Sequence, residues 1–304
     1  MKKCAVIGSI NMDMVVKTPR YPVAGESLTG HSFSTVPGGK GANQAIALAK
    51  LGVPVRMAGM VGDDSFGQTY IDHFKATGVD CAAVTVKSGI TTGVANILVN
   101  DEGENCIVAV PGANGACDES WLDAALDKIM DCDIFLLQLE IPLNTVKACI
   151  AKLRAAGKTI ILDPAPAVPL DDELLSQVDY VTPNETELRI ITPALPEEAG
   201  VEERIRHLIG ESERMVIHKH GADGAYIASK DSIEHVLGYK VKAVDTTAAG
   251  DTFNAGFAAG LAMGLSIRES VKLANAAGAM AVTQLGAQGG MPTLEQAKAL
   301  MEQA

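Results

Sequence analysis

No Cys-x-x-Cys pair occurs among the six cysteines, Cys4, Cys81, Cys106, Cys117, Cys132 and Cys149, which stand far apart. That spacing argues against a zinc site and against a dense disulfide framework, and makes reduced, packed thiols the expectation. Positive charge is also short: 25 Lys and Arg face 37 Asp and Glu, a formal net charge of -12. Phosphate backbones and anionic membranes reward the opposite balance, so no nucleic acid or membrane partner is expected, and the ligand should be small and locally recognised. Long apolar runs are missing at the start, where Cys4 to Ile7 is broken by Gly8 and Asn11, too brief for a signal peptide or a membrane span. A cytoplasmic protein is the expectation. Repeats, linkers and low-complexity runs are absent as well. What remains is a chain of 304 residues, 47% hydrophobic and 20% charged, able to bury a large core as one domain with an appendage.

From about Asp118, helical periodicity alternates with short apolar runs: Glu119 to Met130, Ile134 to Leu139, Leu143 to Ala156, Thr159 to Leu162 and Tyr180 to Thr182. This is the βαβ rhythm of a buried parallel sheet. The strand candidates run into Glu140, Asp163 and Asn184, and ligands of open α/β sheets bind beyond the carboxyl ends of strands. For Asp163-Pro164 a plain turn is the favoured reading. Leu28 to Val36 and Thr92 to Val110 have another texture, small polar and β-branched residues alternating around Asn100-Asp101-Glu102-Gly103. They read as antiparallel ribbon with a hairpin at that tip, forming a lid over one sheet edge. Between them lie a helix at Gly41 to Leu51, a strand at Val55 to Val61 and a helix at Ser65 to Thr77. After His207 come strands near Met215 to His218, Ala225 to Ala228 and Ile233 to Leu237, then small-residue-rich helices at Thr252 to Met263 and Ile267 to Thr283.

Chemistry concentrates in Asp245-Thr-Thr-Ala-Ala-Gly-Asp-Thr-Phe-Asn-Ala-Gly256. Ala248, Ala249 and Gly250 give side-chain-free access to the unpaired N–H groups of a helix start, an anion hole, and Asp251 stands beside it as a base. Base plus anion hole suggests phosphoryl transfer to a hydroxyl. A second glycine run, Pro37-Gly-Gly-Lys-Gly-Ala-Asn-Gln-Ala45, also opens a helix. It is not a Walker A loop, because Lys40 lies inside the glycines, and Gly8-Ser-Ile-Asn-Met-Asp13 lacks the later glycines of a dinucleotide fingerprint. Asn11, Asp13, Lys40, Asn43 and Glu140 suit a polyol instead: amides and carboxylates each serve two hydroxyls, and Asn11 and Asp13, two apart on an extended segment, share a face.

Gly38-Gly-Lys-Gly-Ala-Asn-Gln-Ala45, Asp245 to Gly256, Gly8 to Asp13, Pro164-Ala-Pro-Ala167 and Asn184-Glu-Thr-Glu187 together resemble, in order and spacing, the ribokinase branch of the PfkB carbohydrate kinase family. The resemblance implies one three-layer α/β domain over 1–304, with a mostly parallel central sheet flanked by helices and a small β-sheet lid from about 11–36 and 92–110. It implies ATP-dependent phosphorylation of D-ribose at the 5-hydroxyl, a homodimer through the lid, and Mg²⁺ and K⁺ as cofactors. Asn11-Met12-Asp13, Gly39-Lys40-Gly41-Ala42-Asn43 and Glu140 would hold the sugar, and Asp251 would deprotonate it. Asn184 would meet the nucleotide phosphates, Glu187 would orient hydrated Mg²⁺, and Ala249 and Gly250 would form the anion hole. Lys219, His220, Gly221, Ala222, Asp223, Gly224 and Asn275 would frame the nucleoside. Asp245, Thr247, Ala281, Gln284, Gly286 and Gly290 match the positions that hold a monovalent cation. The pattern departs in three places: Lys219-His-Gly stands where Thr-Leu-Gly is common, Asp163 where asparagine is common, and Gly290 where a serine lends the cation its hydroxyl. The last implies a weaker potassium dependence, and Asp163 receives no role. A related sugar or nucleoside kinase is the alternative within enzymes, although Asn11, able to bond a 2-hydroxyl, weighs against deoxyribose. A silent sugar or nucleotide sensor is the alternative of another class, and it should have lost Asp251 or the Gly250 hole.

Overall fold

A computed structural model describes residues 1–303. The chain runs β1 (Cys4–Ile7), β2 (Asn11–Lys17), β3 (Ser32–Gly38), α1 (Lys40–Lys50), β4 (Val55–Gly62), α2 (Ser65–Thr77), β5 (Asp80–Lys87), β6 (Gly93–Val99) and β7 (Asn105–Val110). It continues through α3 (Glu119–Leu126), β8 (Ile134–Leu137), α4 (Leu143–Ala155), β9 (Thr159–Leu162), α5 (Asp172–Leu175), β10 (Tyr180–Val181), α6 (Glu185–Ile191) and α7 (Val201–Ile209). Last come β11 (Met215–Lys219), β12 (Gly224–Ala228), β13 (Ile233–Leu237), α8 (Ala249–Ala262), α9 (Ile267–Ala281) and α10 (Leu294–Glu302).

Nine strands form one sheet in the order β13-β12-β11-β10-β9-β8-β1-β4-β5. Pairing is parallel from β5 through β11 and antiparallel for β12 and β13. The central strands are apolar on both faces, as continuous Val/Ile/Leu runs require. In β1, Cys4 and Val6 enter one buried cluster with residues of α1, α2, α8 and α9, while Ala5 and Ile7 enter another with α3, α4 and α7. This is the expected three-layer arrangement, and it leaves the carboxyl ends of β1, β8, β9 and β11 at one rim.

The second sheet has four strands, β3-β2-β6-β7. Its outer pairs are antiparallel, as the ribbon texture predicts, but the central pair β2 and β6 is parallel, because both strands leave the rim in the same direction. The ribbon is also shorter than expected: β3 begins at Ser32, and Thr92 is held in the loop before β6 by Asp64, whose carboxylate accepts from its N–H and hydroxyl. Register places Asn11 and Asp13 on one face with Val36, Ala95 and Ala109, whereas Met12 points to the other and is buried in the core. Met12 therefore brings only its backbone to the site.

Candidate active site

Ala248 opens α8 in the left-handed region, φ 59, alone among the described non-glycine residues in having positive φ. Such backbone is uphill for a residue with a Cβ and persists where the surroundings impose it, commonly at functional sites. The helix has no side-chain cap. Ala249 N–H is turned back to the Thr246 carbonyl and Thr252 N–H to that of Ala248, so the N–H groups of Gly250 and Asp251 have no intrachain acceptor among the described residues. A missing cap forfeits about 1 kcal/mol, and what it leaves is two unpaired backbone donors at a helix start, a geometry that suits an anion. Asp251, only 6% exposed, sits in the first turn and accepts hydrogen bonds from Asn43 Nδ2 (2.9 Å) and Gln44 Nε2 (3.3 Å). Burial pushes its carboxyl up to about 6, Lys40 and the Asn43 amide opposing the rise while Asp163 and Glu140 add to it.

Asn43 is itself gripped from behind: Gln288 Nε2 donates to its Oδ1 at 3.1 Å, and the Gln288 Oε1 meets His73 at 2.7 Å. The glycines of this run have a reason different from ligand approach alone. A Cβ on Gly41 would lie 2.7 Å from the Gly8 and Ser9 backbone, and Gly39 combines φ +89 with a Cβ position 2.6 Å from Asn11 N. The run thus lets α1 dock onto the β1–β2 turn, which brings Asn11, Asp13, Lys40 and Asn43 around one space. Glu140, after β8, closes that space by accepting from Ser9 Oγ and from Lys40 N–H at 3.1 Å. Asn114 donates to Asn11 Oδ1 at 2.7 Å and accepts from Ile10 N–H at 2.9 Å, orienting the Asn11 amide. The Asp13 carboxylate has no donor among the described residues, and burial together with Glu140 and Asp251 pushes it up to about 7. Burial alone would depress Lys40, yet Asp251, Asp163, Glu140 and Glu187 hold its ammonium above the ordinary lysine value.

On the far side of Gly250 lies a cavity of about 570 Å³ lined by Lys219, Gly221, Ala222, Gly224, Ala249, Gly250 and Asn275 among others. Asn275 is fixed by donating to the Val236 and Leu237 carbonyls, both at 3.1 Å. His220 and Asp223, expected with this group, do not line the cavity. The His220 ring lies 3.0 Å from Glu185 and edge-on to Tyr226, and the Asp223 carbonyl meets His235. Asn184 and Glu187 form a capping box at α6, with Asn184 Nδ2 also donating to Glu187 Oε1 at 2.9 Å. A lone carboxylate suits Mg²⁺, which keeps its waters and takes phosphate oxygens in place of a protein cage. Burial raises Glu187, against the pull of Lys219.

Asp163, which the sequence reads as a turn-former, is a buried junction. Its carboxylate accepts from Gln44 Nε2 (2.9 Å) and Lys219 Nζ (2.9 Å), and Gln138 Nε2 donates to Gln44 Oε1 at 2.7 Å. Ser9, Gln44, Asn114, Gln138, Asp163 and Gln288 are the site residues missed from sequence. Two of them lie inside recognised runs, Ser9 beside Asn11 and Gln44 beside Asn43, so adjacency was the available signal. The loop expected to hold a cation is tied by Asp245, which accepts from Thr247 N–H (2.9 Å), Thr247 Oγ1 (2.6 Å) and, across the chain, Gly286 N–H (2.8 Å). A Cβ on Gly290 would run into the Ala281 carbonyl, so a serine hydroxyl has no room here.

Residues 1–294 match the pfkB family carbohydrate kinase model. A ribokinase of Lactococcus lactis subsp. lactis is 40% identical over 305 residues, covering 100% of this chain and 98% of its own. Among solved structures, a ribokinase from Thermotoga maritima aligns with a TM-score of 0.93 at 35% identity, covering 99% of this chain and 100% of its own. An Arabidopsis thaliana ribokinase complexed with ribose and ATP aligns with a TM-score of 0.89 at 31% identity, covering 99% of each. Two signature runs, one placing a buried carboxylate at an open helix start, and a match spanning the described chain lead to one statement: the chain belongs to the pfkB family of carbohydrate kinases.

Proposed function

We propose that this protein transfers the γ-phosphoryl group of ATP to the 5-hydroxyl of D-ribose, releasing ADP, ribose 5-phosphate and a proton. The observation that carries the reading is the position of Asp251. It lies at the open start of α8, between the polar enclosure of Asn11, Asp13, Lys40, Asn43 and Glu140 and a cavity of about 570 Å³. Asn11, Asp13, the Gly39–Asn43 run and Glu140 hold the sugar hydroxyls, and Asn11 favours ribose because the NH₂ of its half-buried amide, covered by a sugar with a deoxy carbon there, would go unpaired. Asp251 takes the 5-hydroxyl proton as that oxygen attacks the γ-phosphorus. The bond from that phosphorus to the bridging oxygen breaks, and the Gly250 and Asp251 N–H groups stabilise charge on the transferring oxygens. Glu187 would hold hydrated Mg²⁺, which when bound would supply neutralisation of phosphate charge. Gly221, Ala222, Gly224 and Asn275 frame the nucleoside. The names of the relatives, and a solved relative holding ribose and ATP, support the same substrates.

A potassium ion would be held at the loops that Asp245 ties together, by Asp245, Thr247, Ala281, Gln284, Gly286 and Gly290, largely through carbonyls. The Gly290 position weakens its hold. A second copy of the chain covers the four-stranded sheet, where Phe33 and Val108 are 60% and 61% exposed on one face and Ile107 is exposed on the other. Sedimentation of the wild type against Val108→Asp tests this dimer. The described residues contain no helix long and apolar enough to cross a membrane, and the net charge of -12 supports action on a small diffusible sugar in the cytoplasm. The decisive assay measures ATP consumption with ribose, deoxyribose, fructose and nucleosides, each with and without potassium, and identifies the phosphorylated carbon. Phosphate on ribose O5, with ribose preferred, is the expected result; preference for another acceptor would overturn the assignment.

A further inference from the structure

The two departures from the family pattern on the nucleotide side are each other's partners. Lys219, in place of a common threonine, donates from Nζ to Asp163, in place of a common asparagine, at 2.9 Å, and a second carboxylate, Glu187, lies 3.5 Å away. The ammonium is almost wholly enclosed, 9% exposed for the residue. Its free side faces the helix start: Nζ is 3.5 Å from where a Cβ of Gly250 would stand, and Lys219 lines the cavity beside Gly250. Burial opposes its charge, but Asp163 and Glu187 outweigh that and keep it a cation. A fixed ammonium, held by two carboxylates against unpaired N–H groups, is placed to meet an anion arriving at Gly250.

We infer that Lys219 is a phosphate-binding residue, reaching the terminal phosphates of the nucleotide and not its nucleoside, and that Asp163 is its positioning residue. The inference deepens the ATP reading and rests on it. Asp163 holds the ammonium beside the hole when no nucleotide is bound. On binding, the phosphate oxygens replace Glu187 as the lysine's second partner, which frees Glu187 to face hydrated Mg²⁺. Gln44 links Asp163 to Asp251, so the residue that aims the cation is also braced against the proposed base.

Lys219→Thr alone would strand a buried carboxylate, so the test uses Lys219→Thr with Asp163→Asn, which removes both charges together. Calorimetry without sugar measures adenosine, AMP, ADP and a non-hydrolysable ATP analogue on wild type, the double variant and Asp163→Asn. The double variant should bind adenosine and AMP within about twofold of wild type but lose at least about tenfold on ADP and the analogue. Asp163→Asn, whose Oδ1 can still accept from the ammonium and hold it in place while the competing negative charge is gone, should bind ADP at least as tightly as wild type. A uniform loss across all four ligands, no selective loss, or weakened ADP binding by Asp163→Asn would each overturn the assignment, and the last decides if the double variant fails to fold. A wild-type chain that binds none of the four would overturn the nucleotide reading, and the lysine assignment with it.

Discussion

Two carboxylates in one enclosure carry opposite demands. As the proposed base, Asp251 must be ionised to accept a proton, and with its carboxyl held up to about 6 it is mostly ionised at pH 7 yet close enough to neutrality to take a proton readily. Turnover should therefore rise with pH through about 6 and level off above. Asp251→Asn should keep ribose binding while turnover falls at least about a hundredfold. Steady-state rates from pH 5 to 8 check both, and near-wild-type turnover by the variant would remove the base. Asp13 shows the cost of assembling such a site. Its carboxyl rises from 3.8 to about 7, so its favourable contribution to the fold is complete below about 4 and lost as pH climbs through 7. Asp13→Asn should accordingly stabilise the ligand-free chain at pH 8 by about 1–3 kcal/mol, solvent access discounted, but hardly at pH 4, while weakening ribose binding. Urea unfolding at the two pH values measures it, and equal stability of the two proteins at pH 8 would refute the unpaired-carboxylate account.

At the scale of the element, α8 combines an unusual start with an unusual body. Small residues recur along Gly256-Phe-Ala-Ala-Gly260, and a Cβ on Gly256 would lie 2.8 Å from Ala274 Cα, one on Gly260 2.6 Å from Ser270 Cα. The α8 and α9 backbones are therefore nearly in contact, and that contact fixes the helix whose first turn carries the proposed anion hole. Alanine favours a helix interior over glycine by about 1 kcal/mol, but forcing a methyl into a closed contact costs about 1–3 kcal/mol. Sterics should win: Gly260→Ala is expected to lower stability and turnover together, and a variant that melts higher with full activity would show the contact to be slack. The two signature helix starts were legible in sequence because each is built from contiguous residues. β5 was not expected. It is the outer strand of the large sheet, half-exposed, with an irregular register against β4, so its alternation is weak.

At the scale of the molecule, the site is sewn together by contacts no local pattern records: Gln44 to Asp163 and Asp251, Gln288 to Asn43, Ser9 to Glu140. Sequence places Ser9, Glu140 and Asp163 just past strand ends, Asn43, Gln44 and Asp251 in the opening turns of helices and Gln288 in the loop after α9, and the fold decides which of them meet. Asp163 reads as a turn because the residue before a proline usually is one, while its partners, Gln44 and Lys219, lie far off in the chain. The four-stranded sheet poses the remaining mechanical question. It joins the main body through short segments at Gly8–Ile10, Gly38–Gly39, Thr91–Thr92 and Pro111–Gly112, and all six residues of β7 are exposed. Phosphoryl transfer to a sugar in place of water requires that water be kept out, and a sheet bearing Asn11 and Asp13 on its inner face would do so by settling onto the sugar. The tip beyond β6 would report such a movement: Asn100 Oδ1 accepts from Glu102 and Glu104 N–H groups, and Asp101 lies 3.2 Å from His31 in the segment before β3. Ribose together with a non-hydrolysable ATP analogue should slow proteolysis at Asn100 to Gly103, by more than either ligand alone. Cleavage at the same rate with and without both ligands would mean that the sheet is a fixed wall, leaving the exclusion of water to residues already in place around Asp251.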